Sequence, residues 1–173
     1  MDWKAFFTGV EANWLSLWIR ECPSLLAFPT IIALHAIGMG FLVGANVAMD
    51  LRLLGVARRI PIPSLTSLFP GMVFGFCLNA VSGFLLLLAY PTKALTNPLF
   101  YVKLSLIALA VVVAWAFRKR ILDGRVGESA PATRDKMLAC ASLVLWAAAI
   151  TAGRFLAYTY KYLSAFEMDL NLR

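Results

Sequence analysis

The chain has 173 residues, 61% of them hydrophobic and only 14% charged, with a formal net charge of +7 and a mean hydropathy of +0.79. An ordinary soluble domain carries about a quarter charged residues and about half apolar ones, so composition excludes that class and assigns the chain to the membrane. The basic residues gather at the ends of apolar runs, where they set topology and meet anionic lipid, which argues against nucleic acid as a partner.

The expected fold is all-α, an integral membrane four-helix bundle preceded by an N-terminal amphipathic interfacial helix. Residues 1–22 form the arm. In Met1–Arg20, Trp3, Phe6, Phe7, Val10, Trp14, Leu17 and Trp18 recur at spacings of three and four, the period of one helical face. Tryptophans opposite a few charges suit a helix in the headgroup layer, or an arm packed on a partner subunit. Glu11 and Arg20 interrupt it, so it does not read as a cleavable signal peptide. Pro23 breaks this helix and fits the first turn of the next.

Residues 23–173 form the bundle, with spans at about 25–50, 64–89, 98–117 and 137–160, each near the ~20 apolar residues that a crossing needs. The first span holds the chain's only histidine, His35, and a four-residue ladder of small residues, Ala36, Gly40, Gly44 and Ala48. Pro29 is a possible kink. The span ends in Asp50-Leu51-Arg52, which reads as a local charged clasp. A stiff basic turn, Arg58 to Pro63, leads to the second span and a second ladder, Gly71, Gly75, Asn79 and Gly83. Two such ladders predict close packing of successive helices. The third span begins at Asn97-Pro98 and stops at Arg118-Lys119-Arg120, and the polar segment Asp123–Ala132 is the longest loop. Cationic residues concentrate in the two loops on one side. The positive-inside rule therefore puts those loops in the cytoplasm and both termini in the periplasm of a bacterial inner membrane. Cys22, Cys77 and Cys140 show no metal-type spacing; Cys77 and Cys140 fall within spans and read as buried free thiols.

At ~1.5 Å rise per residue, His35 lies roughly 15 Å below the terminal-side end of its span. Asn79 is at similar depth, and Lys103 and Arg154 sit nearer that end. Each helix thus directs one polar group into the same half of the bundle. A cation in mid-helix costs ~2.5–3.5 kcal/mol on insertion scales, and the acids fall in tails, loops or span ends. An anionic ligand among Lys103 and Arg154 would balance them, a haem propionate or a lipid phosphate. Haem b suits the layout, since imidazole is a common axial ligand. His35 would bind the iron, and Lys103, as a neutral amine, is the possible second ligand. Arg154 would meet a propionate, with Asn79 beside the cofactor. Met39 shares the face of His35 and cannot bind the opposite side of the same iron. The residue-level alternatives are ordinary: His35 and Asn79 as interhelical hydrogen-bonding groups, Lys103 and Arg154 as snorkelling anchors.

Leu34-His35, Asp50 to Gly55, Asn97-Pro98, Lys103-Leu104 and Gly153-Arg154 occur in order along nearly the whole chain. In this the chain resembles a family of bacterial four-helix inner-membrane proteins of unknown function. More distantly, the Leu-His pair and the Lys-Leu-Ser-Leu start of the third span are similar to the HemJ-type protoporphyrinogen oxidases and the CopD-type copper-resistance membrane proteins. The HemJ-type resemblance implies roles in haem b binding and activity for His35 and Lys103. The chain departs from that pattern in having Gly and Ala where those enzymes have aromatics after the histidine. The expected function is a b-type haem-binding electron-transfer or membrane-anchor subunit. It would exchange electrons with quinone or a periplasmic redox protein, alongside other membrane subunits or further copies of itself. The alternatives are a cofactor-free accessory subunit and a porphyrinogen oxidase. Copper transport fits less well, without clustered Met, His and Cys on one face.

Overall fold

The computed structural model describes Phe7, residues 9–126 and residues 131–171, the side chains of 157 and 160–171 excepted. Among the described residues the fold is helical throughout: α1 (Trp14–Glu21), α2 (Phe28–Leu54), a 3₁₀ segment (Ile62–Leu68), α3 (Phe69–Ala89), the short α4 (Pro91–Leu95), α5 (Pro98–Leu122) and α6 (Thr133–Asn171). Four stretches are long and apolar enough to cross a membrane: Phe28–Leu54, Ile62–Ala89, Pro98–Leu122 and Thr133–Leu156. The chain is a multi-pass, all-α membrane protein whose long helices form a four-helix bundle.

Local chemistry sets the boundaries. Pro29 lies in the first turn of α2, where its missing N–H is no loss, so it starts the helix and does not kink it. Gly55 closes α2 at φ 103°, a left-handed cap that glycine adopts without a Cβ clash. Ile62-Pro63 opens the 3₁₀ turns that feed α3. Asn97 caps α5 by accepting from the Leu99 N–H at 3.0 Å. That helix runs to Leu122, past the expected stop at Phe117, because the helix C-terminus favours cations and each finds a partner. Arg118 lies 5.5 Å from the Phe69 ring centre and Lys119 5.8 Å from that of Trp115. Arg120 Nε pairs with Asp135 Oδ1 at 2.8 Å.

The arm is not one continuous helix. Asn13 is extended (φ −65°, ψ 145°) and its side chain accepts from the Leu15 N–H, so α1 starts afresh at Trp14. Trp3 and Phe6 lie outside the described residues. Trp14 and Trp18 are exposed, Trp14 at 75%. The opposite face of α1 docks on the end of α3: Ser16 Oγ donates to Leu88 O at 2.8 Å, and Ile19 is buried with Ile31 and Ala89.

The long helices pack in two pairs, α2 with α3 and α5 with α6, joined through α2 and α6. The α2–α3 seam is the tight one. A Cβ on Gly38 would meet the Asn79 backbone N at 2.7 Å, and one on Gly75 the Leu42 N at 2.6 Å. The first predicted ladder is therefore on the wrong face. Ala36, Gly40, Gly44 and Ala48 are all exposed, and Gly40 and Gly44 have open space around them. Two residues along a helix is about 200° of rotation at ~3.6 residues per turn, so Gly38, not its neighbours, meets α3. From the second ladder, Gly75, Asn79 and Gly83 do reach α2. No comparable seam joins α3 to α5. Bridges close that gap only at its ends, the 3₁₀ segment touching both helices at one end and α4 at the other.

Candidate functional site

The open α3–α5 gap holds a cavity of about 370 Å³ floored by α2 and α6. His35, Asn79 and Lys103 all line it, with apolar side chains such as Met39, Leu87 and Ile107 making the rest. Its rim reaches the outer surface, since Phe76, Phe84, Leu104 and Ile150 are among its lining and are all exposed. It is thus a lateral opening toward the apolar phase. A smaller cavity of about 170 Å³ continues the gap and shares Leu42, Phe76 and Trp146 with it, with Arg118 as its single charged lining residue.

His35 is held in a defined state. Its Nδ1 is 3.1 Å from Ser82 Oγ. Ser82 is an inward residue of α3, and its hydroxyl is 2.6 Å from the Leu78 carbonyl one turn back. A hydroxyl has one proton to give, and the shorter contact to Leu78 O takes it. Ser82 Oγ then accepts from His35 Nδ1–H, which leaves Nε2 as the ring's lone-pair nitrogen. Such a second hydrogen bond is what orients a ligating imidazole in metal sites. The ring lies against Gly83, where a Cβ would come within 3.1 Å of Cε1. Any larger residue there would require the imidazole to shift by a few tenths of an ångström.

Asn79 Nδ2 donates to the His35 backbone carbonyl at 2.8 Å, so its amide nitrogen ties α3 to α2 while the residue also borders the cavity. Lys103 is half-buried on α5, and its amine lies over Gly153 of α6, whose Cβ position is 3.5 Å from Nζ. Arg154 does not converge on the others. It is exposed and absent from the cavity lining, because Gly153 takes the inward position and the next residue is turned about 100° away. Of the four residues expected to converge, His35, Asn79 and Lys103 line this cavity and Arg154 does not.

Two further expectations are corrected. Asp50 and Arg52 do not form a clasp: Arg52 donates from Nε to Ile60 O and from Nη2 to Arg58 O at 3.1 Å, pinning the turn after α2. Asp50 is 1% exposed, and neither carboxylate oxygen has a hydrogen-bond partner among the described residues. Cys77 and Cys140 are free but exposed, on outward faces of α3 and α6 and not in the core. No group of three or more His, Cys, Asp and Glu able to hold a metal ion occurs among the described residues.

Sequence reasoning missed Ser82, Gly83 and Trp146. Ser82 lies three residues from Asn79 and so on the same face, a signal that was readable. Trp146, in the middle of an apolar run, had none. Against family models, curated proteins and solved structures alike, the chain has no match.

Proposed function

We propose that this chain is a bacterial inner-membrane subunit that holds a b-type haem in the α3–α5 gap, with His35 as axial ligand, and serves electron transfer or anchoring in a redox complex. The observation that carries the reading is a histidine whose Nδ1 is 3.1 Å from Ser82 Oγ, on the wall of a cavity that Lys103 also lines; with the Ser82 proton given to Leu78 O, Nε2 keeps the ring's lone pair. The residues fit the group in three respects. The imidazole presents a lone pair. The cavity falls within the ~300–1,000 Å³ of ligand pockets and is mostly apolar, as such pockets are. Its mouth is open sideways, so a macrocycle wider than the chamber has somewhere to extend. Lys103 offers the second ligand as a neutral amine, or a cation for a propionate. Haem, when bound, supplies one-electron chemistry; His35 and Ser82 fix the ligand's tautomer, and the apolar walls exclude water. Quinone or a periplasmic redox protein would be the electron partner, and the termini would lie in the periplasm.

The test is an absorption spectrum of the protein purified from cells supplied with haem. A Soret band that disappears in His35→Ala and weakens or shifts in Lys103→Met supports the proposal. A wild-type spectrum without a Soret band overturns it.

A second reading, a cofactor-free accessory subunit, is favoured by two hydrogen bonds that run from His35 to α3, one from its ring and one from its backbone carbonyl. On this reading the histidine only joins two helices, and α1, with Trp14 outward, is the docking element. It predicts that His35→Ala leaves complex assembly intact, whereas deletion of residues 1–20 abolishes co-purification with the other subunits. A porphyrinogen oxidase would be recognised by rescue of a strain lacking that enzyme.

A further inference from the structure

At the other end of the bundle from His35, α2 and α6 enclose polar side-chain atoms that have no hydrogen-bond partner among the described residues. Asp50 is buried with both carboxylate oxygens unpartnered, and Ser142 of α6, fully buried, has an unpartnered hydroxyl. The Ser142 hydroxyl lies near the Asp50 carboxyl, outside hydrogen-bonding geometry. One turn further along α6, Trp146 has a buried, unpartnered Nε1–H, and it lines both cavities of the gap. Apart from one oxygen of Asp135, these are all the buried side-chain polar atoms without a partner among the described residues.

The charged groups around Asp50 are committed elsewhere. Arg52, two residues on, is spent on the carbonyls of Arg58 and Ile60. Arg58 donates to Gly55 O. The 3₁₀ segment and α3 bring no ionisable side chain toward this end except Cys77, which is exposed. From α5, Arg118 and Lys119 lie over the Phe69 and Trp115 rings, and Arg120 is paired with Asp135. Arg59, Arg134 and Lys136 are exposed. Among the described residues a carboxylate here would have no counter-charge, and with Asp50 1% exposed it would have little solvent; an unpaired buried charge is strongly destabilising. A neutral acid removes that cost and gains a hydroxyl that Ser142 can accept from.

We propose that Asp50 is a proton-binding site, a protonated acid held inside the bundle next to Ser142 at neutral pH. It takes its proton from the nearby loop side, and Trp146 continues its polar surroundings toward the gap that holds the His35 cavity. Buried acids in spans commonly serve as proton relays, and this one would let a charge change in the gap draw a proton from the loop side. The inference stands apart from the haem proposal and can hold without it.

The test is infrared spectroscopy of the full-length protein in lipid vesicles, without added haem, following the C=O stretch of protonated carboxyl groups. A band present at neutral pH, lost in Asp50→Asn and retained in Asp135→Asn, is the expected result. In Ser142→Ala the band should move to higher frequency as the acid loses its acceptor. Absence of a protonated-carboxyl band in the wild type at neutral pH, or its survival in Asp50→Asn, overturns the proposal. Should Asp50→Asn fail to fold, Ser142→Ala decides: a shifted band supports the assignment and an unshifted one overturns it. The haem spectrum is a separate measurement, so either proposal can fail without the other.

Discussion

The two sides of α3 are built to opposite rules. Toward α2, Gly38 and Gly75 bring two backbones so close that a methyl group on either would strike main-chain atoms at under 3 Å. Toward α5, the same helix offers Phe76 and Phe84 across a gap and forms no seam. Lipid tails are as apolar as leucine, so helices in a membrane gain little by burying apolar surface against each other; close packing and hydrogen bonds decide which faces join. Glycine supplies the first and Asn79 the second on the α2 side, and neither exists on the α5 side. A cavity is what remains where a helix has a neighbour but no reason to touch it. His35 belongs to both regimes, its Nδ1 in the seam and its ring on the cavity wall.

The largest effect should come from closing the seam's tolerance. In Gly75→Ala the new methyl would meet Leu42 N, Gly38 O and Phe41 Cβ between 2.6 and 2.8 Å. Two of these are backbone, so the helices themselves must part. Overpacking of this sort costs about 1–3 kcal/mol, and the upper end is expected here, with Gly38→Ala close behind. Equilibrium unfolding in detergent micelles measures it; a change below about 0.5 kcal/mol in both variants would show that the seam is not as close as described.

The next effect acts on the boundary between the two regimes. Ser82→Ala removes the acceptor that fixes His35 as the Nδ1–H tautomer. Loss of such a supporting partner lowers metal-site affinity by ~10–100-fold. Haem titration followed by absorbance should show a weakened affinity in that range while the helices stay paired. An unchanged affinity would mean that Ser82 belongs to the seam alone.

How much of this was readable in the sequence follows from the same contrast. Length and hydropathy place four helices, because a span must satisfy its backbone internally and be apolar enough to sit in lipid. They do not say which face of α2 meets which face of α3. Apart from His35, Asn46, Asp50 and Arg52, the run 31–55 is apolar or small on every side, so the usual amphipathic signal that orients a helix is missing. The strict four-residue ladder lies on the exposed face, while Gly38 does the packing. The cavity residues His35, Asn79 and Lys103 stood out because polar groups in an apolar run are few and each needs a reason. Arg154 stood out on the same ground and proved to be turned outward, since a one-residue step along α6 is enough to change its side. Asp50 misleads for the converse reason. Its neighbour Arg52 made a local pair plausible on paper, yet Arg52 reaches forward to the Ile60 carbonyl and leaves the acid facing α6. Only coordinates distinguish a charge next in sequence from a charge next in space.

Smaller effects test the hydrogen-bonded half of the comparison. Asn79→Ala deletes the 2.8 Å bond to the His35 carbonyl, but that carbonyl keeps its place within α2. Interhelical hydrogen bonds of this kind average about 0.6 kcal/mol in membrane proteins, with a maximum near 1.7. The expected loss in the same unfolding assay is therefore under half that of Gly75→Ala. A loss exceeding the glycine variant's would reverse the ranking and make polar contact, not close approach, the chief bond of the pair.

The smallest effect is expected from the ladder that looks most like a packing motif. Gly40→Ala and Gly44→Ala add methyl groups where nothing lies within 4 Å, so neither can disturb the bundle described here. Alanine is the better helix former by about 1 kcal/mol in water, and in lipid, where the helix is already enforced, the gain should shrink toward zero. The pair α2–α3 should be as stable as in the wild type or slightly more so. If the double variant instead lowers stability in a manner that depends on protein concentration in the micelle, then this exposed stripe packs against a second chain. The contrast between a closed seam and an open face would then hold for the single molecule but not for its assembly. Concentration dependence is the discriminating readout, because a helix within one chain cannot show it.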